Sequence, residues 1–207
     1  MGDFNILIFQ LAVLLMSVVI HEVSHGIVAL WQGDPTAKLL GRLTLNPVKH
    51  LDVWGSFLVP LGLFIFSGGN FLFGWAKPVP YNPYNLRHGK WGPAFVAAAG
   101  PLTNVAIALS IGIFVRFAPF LGIASQAFYN IASLVVLTNL VLAVFNFVPI
   151  PPLDGSKVLM ALLPYRYDYV RQILEQYQFV ILIAFIFFFW RLVAPIVFVL
   201  FKLIVGG

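Results

Sequence analysis

The sequence predicts an all-α polytopic membrane protein with about four transmembrane helices, a re-entrant or surface-lying segment, and short extended, β-hairpin-like loops. Two observations carry this reading. First, the 207-residue chain is 61% hydrophobic and only 9% charged, with a mean hydropathy of +0.97; a soluble domain is about 25% charged and 45–50% apolar. Second, apolar stretches at residues 4–31, 53–76, 94–115, 127–148 and 179–201 approach the roughly 20 residues that a helix needs to cross the hydrocarbon core. A disordered chain is ruled out, and a soluble globular domain does not fit. The length suits a single membrane-embedded domain over residues 1–207, with its core at about 4–165 and a further transmembrane segment at 179–203. The chain has no cysteine, so disulfides, iron–sulfur clusters and Cys-ligated zinc are excluded, and any metal must use His, Asp or Glu. The net charge of +5 comes from scattered cations with no basic run. No nucleic-acid partner is expected, and the lipid bilayer is.

The first stretch is interrupted only by His21, Glu22 and His25. No lysine or arginine precedes it, whereas a signal peptide carries a basic start, so it reads as a retained helix. The second is the weakest span, because it holds Pro60, Gly55, Gly62 and the pair Gly68-Gly69. Non-helical backbone at membrane depth is tolerated only under cover of protein or a wet cavity. Its flanks, 39–52 and 77–85, are rich in Pro, Asn and Thr, and residues before proline avoid the helical region. The third and fourth stretches carry no charged residue. The fourth ends at Pro149, Pro151 and Pro152, and the last contains Arg191. No internal repeat and no soluble accessory domain stands out.

His21-Glu22-Val23-Ser24-His25 is an H-E-x-x-H motif. Residues four apart share one helix face, so both imidazoles reach one ion, and in zinc hydrolases of this pattern the Glu is the general base. Ionisable residues inside an apolar helix mark function by default; polar glue between membrane helices is more often Ser, Thr or Asn. A catalytic zinc takes three protein ligands and leaves one position open. The remaining candidates are His50, His88, Asp3, Asp34, Asp52, Asp154, Asp168 and Glu175. Asp154 differs from the rest: it follows the fourth apolar stretch, three prolines fix its approach, and Gly155 permits a turn directly after it. The alternative for this segment is an ordinary Pro-Asp-Gly loop in which Asp154 caps the next helix.

His21-Glu22-x-x-His25 followed by Asn146-x-x-Pro149-x-Pro151-x-x-Asp154-Gly155 resembles the site-2 protease family of intramembrane zinc metalloproteases. The resemblance extends to Gly100-Pro101-x-x-Asn104, Thr44-Leu45-Asn46-Pro47 and Lys77-Pro78-Val79-Pro80, and so covers about residues 12–165. It implies one Zn²⁺ per chain held by His21, His25 and Asp154, catalysis by Glu22, and a substrate or transition-state contact from Asn146. Asn104 is a supporting residue, for which polar helix packing is an equal reading. The PDZ and CBS domains of some members have no counterpart here, and no spanning helix precedes the His-Glu helix, so a near-minimal core is expected. The implied activity is regulated intramembrane proteolysis of single-pass membrane proteins. Two rival readings are a membrane protein that holds clients without cutting them and a metal transporter. Transporters usually carry repeats, which this chain lacks.

If Asp154 shares a metal with the His pair, the first and fourth stretches run in the same direction, and one stretch between them does not span. Demoting 53–76 places nine of the twelve lysines and arginines on one face, with Arg116 and Lys202 opposite and Arg191 inside the last stretch. Cytoplasmic loops carry the excess of Lys and Arg, so the active site is expected toward the cytoplasmic side. The extended segments near Thr44-Leu45-Asn46 and Val79-Pro80-Tyr81 are expected to pair with an unwound substrate as an added strand.

Overall fold

The computed structural model describes residues 3–66, 68 and 74–206, and its regular elements there are all helical. Helix α1 (Asp3–Trp31) runs for 29 residues, about 44 Å at 1.5 Å per residue. A backbone in lipid must satisfy its own hydrogen bonds, and this unbroken helix does so. It ends where Gly33 takes a φ of 106°: Asp34 N–H reaches back to the Ala29 carbonyl and Gly33 N–H to that of Leu30, the paired bonds of a glycine-terminated helix. The short α2 (Thr36–Leu39) follows.

Residues 53–66 form a six-residue π turn, Val53–Leu58, continued by the eight-residue α3 (Val59–Phe66). Together they reach about 21 Å, short of the roughly 30 Å hydrocarbon core. The demotion of this stretch therefore agrees with its described part; residues 67 and 69–73 lie outside the described residues. Residues 74–82 follow without helix or turn. Trp75 N–H bonds to the Gly55 carbonyl and Lys77 N–H to that of His50. These bonds do not build a ladder, so the expected β-hairpin character is reduced to an extended strap, and no strand occurs among the described residues.

Helices α4 (Gly92–Phe117) and α5 (Gln126–Phe147) complete the central group, with the Ser125 side chain accepting from Phe128 N–H at the start of α5. Then come α6 (Asp154–Leu162), α7 (Asp168–Gln176) and α8 (Gln178–Ala184), a π stretch at Phe185–Phe189, and α9 (Trp190–Val205). Among the described residues three helices are long and apolar enough to cross a membrane, at Asn5–Trp31, Gly89–Leu121 and Gln126–Phe147. A fourth appears if the bent pair Asp168–Gln176 and Gln178–Phe188, at 71°, is one broken span. The chain is thus a membrane protein.

Helix α4 is the hub, packing against α1, α5, α6 and α9. Its buried face is made of small residues, among them Ala94, Ala97, Gly100, Ala108 and Gly112. Membrane helices approach closely on such faces, since lipid supplies no hydrophobic drive between them. Ala108, Val136, Leu140, Phe185, Val193 and Val197 form the apolar core between α4, α5 and the C-terminal helices. Outward-facing positions such as Phe9, Ile113, Phe114 and Val199 are large, apolar and exposed, as a lipid-facing surface requires.

Candidate metal centre

Helix α1 carries a buried polar stripe at Ser17, His21 and His25, spaced four apart on the face turned to α4 and α5. The two imidazoles meet edge to face with centroids 4.7 Å apart. Asp154 reaches them from the end of α5. That helix stops at Phe147, Val148 turns extended, and the prolines prevent its resumption. Asp154 is the first residue of α6, but its side chain does not cap that helix. Its Oδ2 lies 3.1 Å from His21 Nε2 and 3.2 Å from His25 Nε2. Gly155 has ordinary helical φ rather than the left-handed turn that a Pro-Asp-Gly sequence suggests. Its glycine identity has another cause: a Cβ there would lie 2.3 Å from the Phe147 carbonyl oxygen, so only glycine lets α6 start against the end of α5.

The opposite edge of each imidazole is committed. His25 Nδ1 donates to the Val96 carbonyl at 2.7 Å, and His21 Nδ1 faces Asn104 Oδ1 at 2.6 Å. Oxygens of this kind accept, so both Nδ1 atoms carry a proton and a neutral ring turns its Nε2 lone pair toward the Asp154 carboxylate. Two nitrogen lone pairs and an anionic oxygen within 4.8 Å of one another call for a cation. The room for one is made by Gly100 of α4, where a Cβ would sit 2.6 Å from Nε2 of both histidines. This donor set of two His and one Asp, with a cradle that a single methyl would fill, fits zinc.

The model of Peptidase family M50 matches residues 9–135 and 117–189. The chain belongs to this family. "Putative zinc metalloprotease YwhC" of Bacillus subtilis is 38% identical over 157 residues, covering 73% of this chain and 67% of that protein. "Putative zinc metalloprotease Rip2" of Mycolicibacterium smegmatis is 30% identical, covering 73% of this chain and 56% of that protein. "Putative zinc metalloprotease MJ0611" of Methanocaldococcus jannaschii is 30% identical, covering 76% of this chain and 73% of its own length. The chain therefore spans little more than half of the mycobacterial relative. No solved structure matches it at a significant level.

Within this M50 chain, His21, His25 and Asp154 are the one group of three or more metal-binding side chains among the described residues. The other sequence candidates lie elsewhere. His50 is buried against the Thr44 carbonyl, His88 faces Gln32 Oε1, and Asp52 accepts from Gly55 N–H at the start of the π turn. Asp34 binds Thr36, Asn82 and Asn85, and Glu175 pairs with Arg171. Asp168 begins α7. The Asp3 side chain lies outside the described residues. Asn146 uses one amide hydrogen on the Leu142 carbonyl of its own helix.

Glu22 stands beside the trio rather than in it. It is half-buried, and its Oε2 accepts from Val79 N–H at 2.9 Å. The strap around Val79 is tied down on both sides. Arg42 Nη2 donates to the Lys77 and Pro78 carbonyls, and Asp34 Oδ2 accepts from Asn82 N–H at 2.7 Å. Burial pushes the Asp34 carboxyl up, but hydrogen bonds from Thr36, Asn85 and Asn82 prevail and hold it below the usual carboxylate range. Val79 sits in a notch at Gly26, where a Cβ would lie 2.8 Å from Val79 Cγ1.

This arrangement bears on the expected strand addition. Pro80 has no N–H and that of Val79 is taken by Glu22, so a strand added at residues 79–81 would pair with the Tyr81 N–H and the carbonyl oxygens. At residues 44–46 Asn46 N–H bonds to Thr44 Oγ1 and the Thr44 carbonyl to His50. The strap also orients Glu22. Sequence reading missed the roles of Gly26, Gly100 and Asp34. The glycine identities alone signalled two of them, as points of close approach between packed segments.

Proposed function

We propose that this chain is an intramembrane zinc metalloendopeptidase that hydrolyses peptide bonds in or near the transmembrane segments of single-pass membrane proteins. One observation carries the reading: a buried His-His-Asp trio has both its histidines on a helix apolar enough to cross the bilayer. His21, His25 and Asp154 would hold a zinc ion, which would supply Lewis acidity and lower the pKa of water toward about 7. Glu22, oriented by Val79 N–H, takes the proton of the attacking water and passes it to the leaving amine. Asn146 keeps a second amide hydrogen to donate to the developing oxyanion. A substrate helix hides its own backbone bonds and must unwind locally before it is cut.

The test uses the purified protein in liposomes with candidate single-pass proteins. The expected result is cleavage in or beside the transmembrane segment that stops on chelation and returns with zinc. Clients held but never cut, or zinc carried across the bilayer without cleavage, would overturn the reading in favour of a binding protein or a transporter.

The same reading places the metal toward the cytoplasm, with the N-terminus outside. It rests on the distribution of lysines and arginines between the loops and on the parallel directions that α1 and α5 need to share one ion. Single cysteines introduced near Lys49 and Lys90 should react with an impermeant reagent from the same side. Reaction from opposite sides would mean that residues 53–76 cross fully.

A further inference from the structure

We propose that Asn139 is a positioning residue of the metal centre, acting through Asn104 on His21. The inference rests on the zinc reading above. Both asparagines are fully buried and link three helices in one line. Asn139 on α5 donates Nδ2 to the Val135 carbonyl at 2.9 Å and to Ser17 Oγ at 3.0 Å. Asn104 on α4 donates Nδ2 to Asn139 Oδ1 at 2.7 Å and, more distantly, to the Ser17 carbonyl at 3.5 Å. Asn104 Oδ1 then faces His21 Nδ1 at 2.6 Å.

The direction of this line is fixed at its far end. A backbone carbonyl can only accept, so the atom of Asn139 against Val135 must be its nitrogen. Its oxygen therefore faces Asn104, whose nitrogen must point back, and the Asn104 oxygen must face His21. His21 Nδ1 is then the protonated nitrogen, and the Nε2 lone pair is left for the metal. Reversing any one amide would set oxygen against oxygen in a dry interior, where an unsatisfied polar group is costly. Hydrogen bonds to the far nitrogen of a ligating histidine set its tautomer and ring orientation, and their loss typically lowers metal affinity about 10–100-fold. The carbonyl that decides the His21 tautomer thus belongs to Val135, two helices away.

The experiment measures zinc affinity by chelator competition on the full chain, with the melting temperature of the metal-free protein beside it. In Asn139→Ser the hydroxyl bonds the carbonyl four residues back, as helical serines do, and no longer reaches Asn104. Zinc affinity should fall roughly 10–100-fold. Asn139→Asp should restore it, because a buried unpaired carboxyl becomes neutral and then accepts from Asn104 while donating to Val135. Asn104→Ser should cost at least as much as Asn139→Ser, and the double variant no more than Asn104→Ser alone, since one residue acts through the other. Unchanged zinc affinity in Asn139→Ser, a loss in Asn139→Asp equal to that in Asn139→Ser, or additive losses in the double variant would overturn the proposal. Absence of zinc binding by the wild type would instead defeat the zinc reading itself.

Discussion

Glu22→Gln should lower peptide cleavage by at least about 10²–10⁴-fold, the contribution typical of a positioned general base, while the purified protein keeps its zinc. Glutamine matches glutamate in size, and its amide oxygen can still accept from Val79 N–H, the bond that glutamate makes at 2.9 Å. The strap therefore stays in place, and Glu22 lies outside the converging trio, so the donor set is intact. What disappears is the ability to take a proton from water. The measurement pairs single-turnover cleavage of a substrate that the wild type cuts with zinc per protein. Turnover close to wild type would remove Glu22 from the reaction, and loss of zinc would make it a ligand rather than a base.

Asp154→Ala should lose nearly all zinc, and with it all activity. The residue supplies the only anion of the trio, and its Oδ2 lies within 3.2 Å of both imidazole Nε2 atoms. Asp154→Asn should also weaken binding, because a neutral amide replaces a carboxylate opposite a dication. Gly100→Ala should give the same loss from the other wall: its methyl would stand 2.6 Å from both Nε2 atoms, in the space the ion needs, while every ligand remains. His50→Ala and His88→Ala should keep full zinc, since those rings bond to Thr44 and Gln32. Metal content of the purified variants decides the matter. Full zinc in the Asp154 variants, with loss in a His50 or His88 variant, would mean that the assignment is wrong.

The legible and illegible parts of this protein divide by the range of the forces that set them. Membrane insertion is additive over a window of residues, so composition alone marks α1, α4 and α5 as spans, whereas demoting residues 53–76 needed the shared metal and the distribution of lysines and arginines beside their Gly and Pro. The H-E-x-x-H spacing is local helix geometry, and it puts His21 and His25 on one face before any tertiary contact forms. The Asn-Pro-Pro-Asp-Gly approach is likewise readable as a helix stop followed by a carboxylate, although the reason for Gly155 is not, because it lies in the backbone of Phe147.

The amino-acid sequence by itself therefore determined the membrane class, the family resemblance and the three side chains that meet. Only the tertiary structure decided how the site is completed: that Gly100 leaves the cradle open, that Val79 holds Glu22, and that Asn139 reaches His21 through Asn104. Each of these joins segments far apart in the chain, and each depends on a bond direction or a missing Cβ at one point of contact. Spacing along a chain carries no record of such contacts, because they exist only once α1, α4, α5 and the strap are packed together.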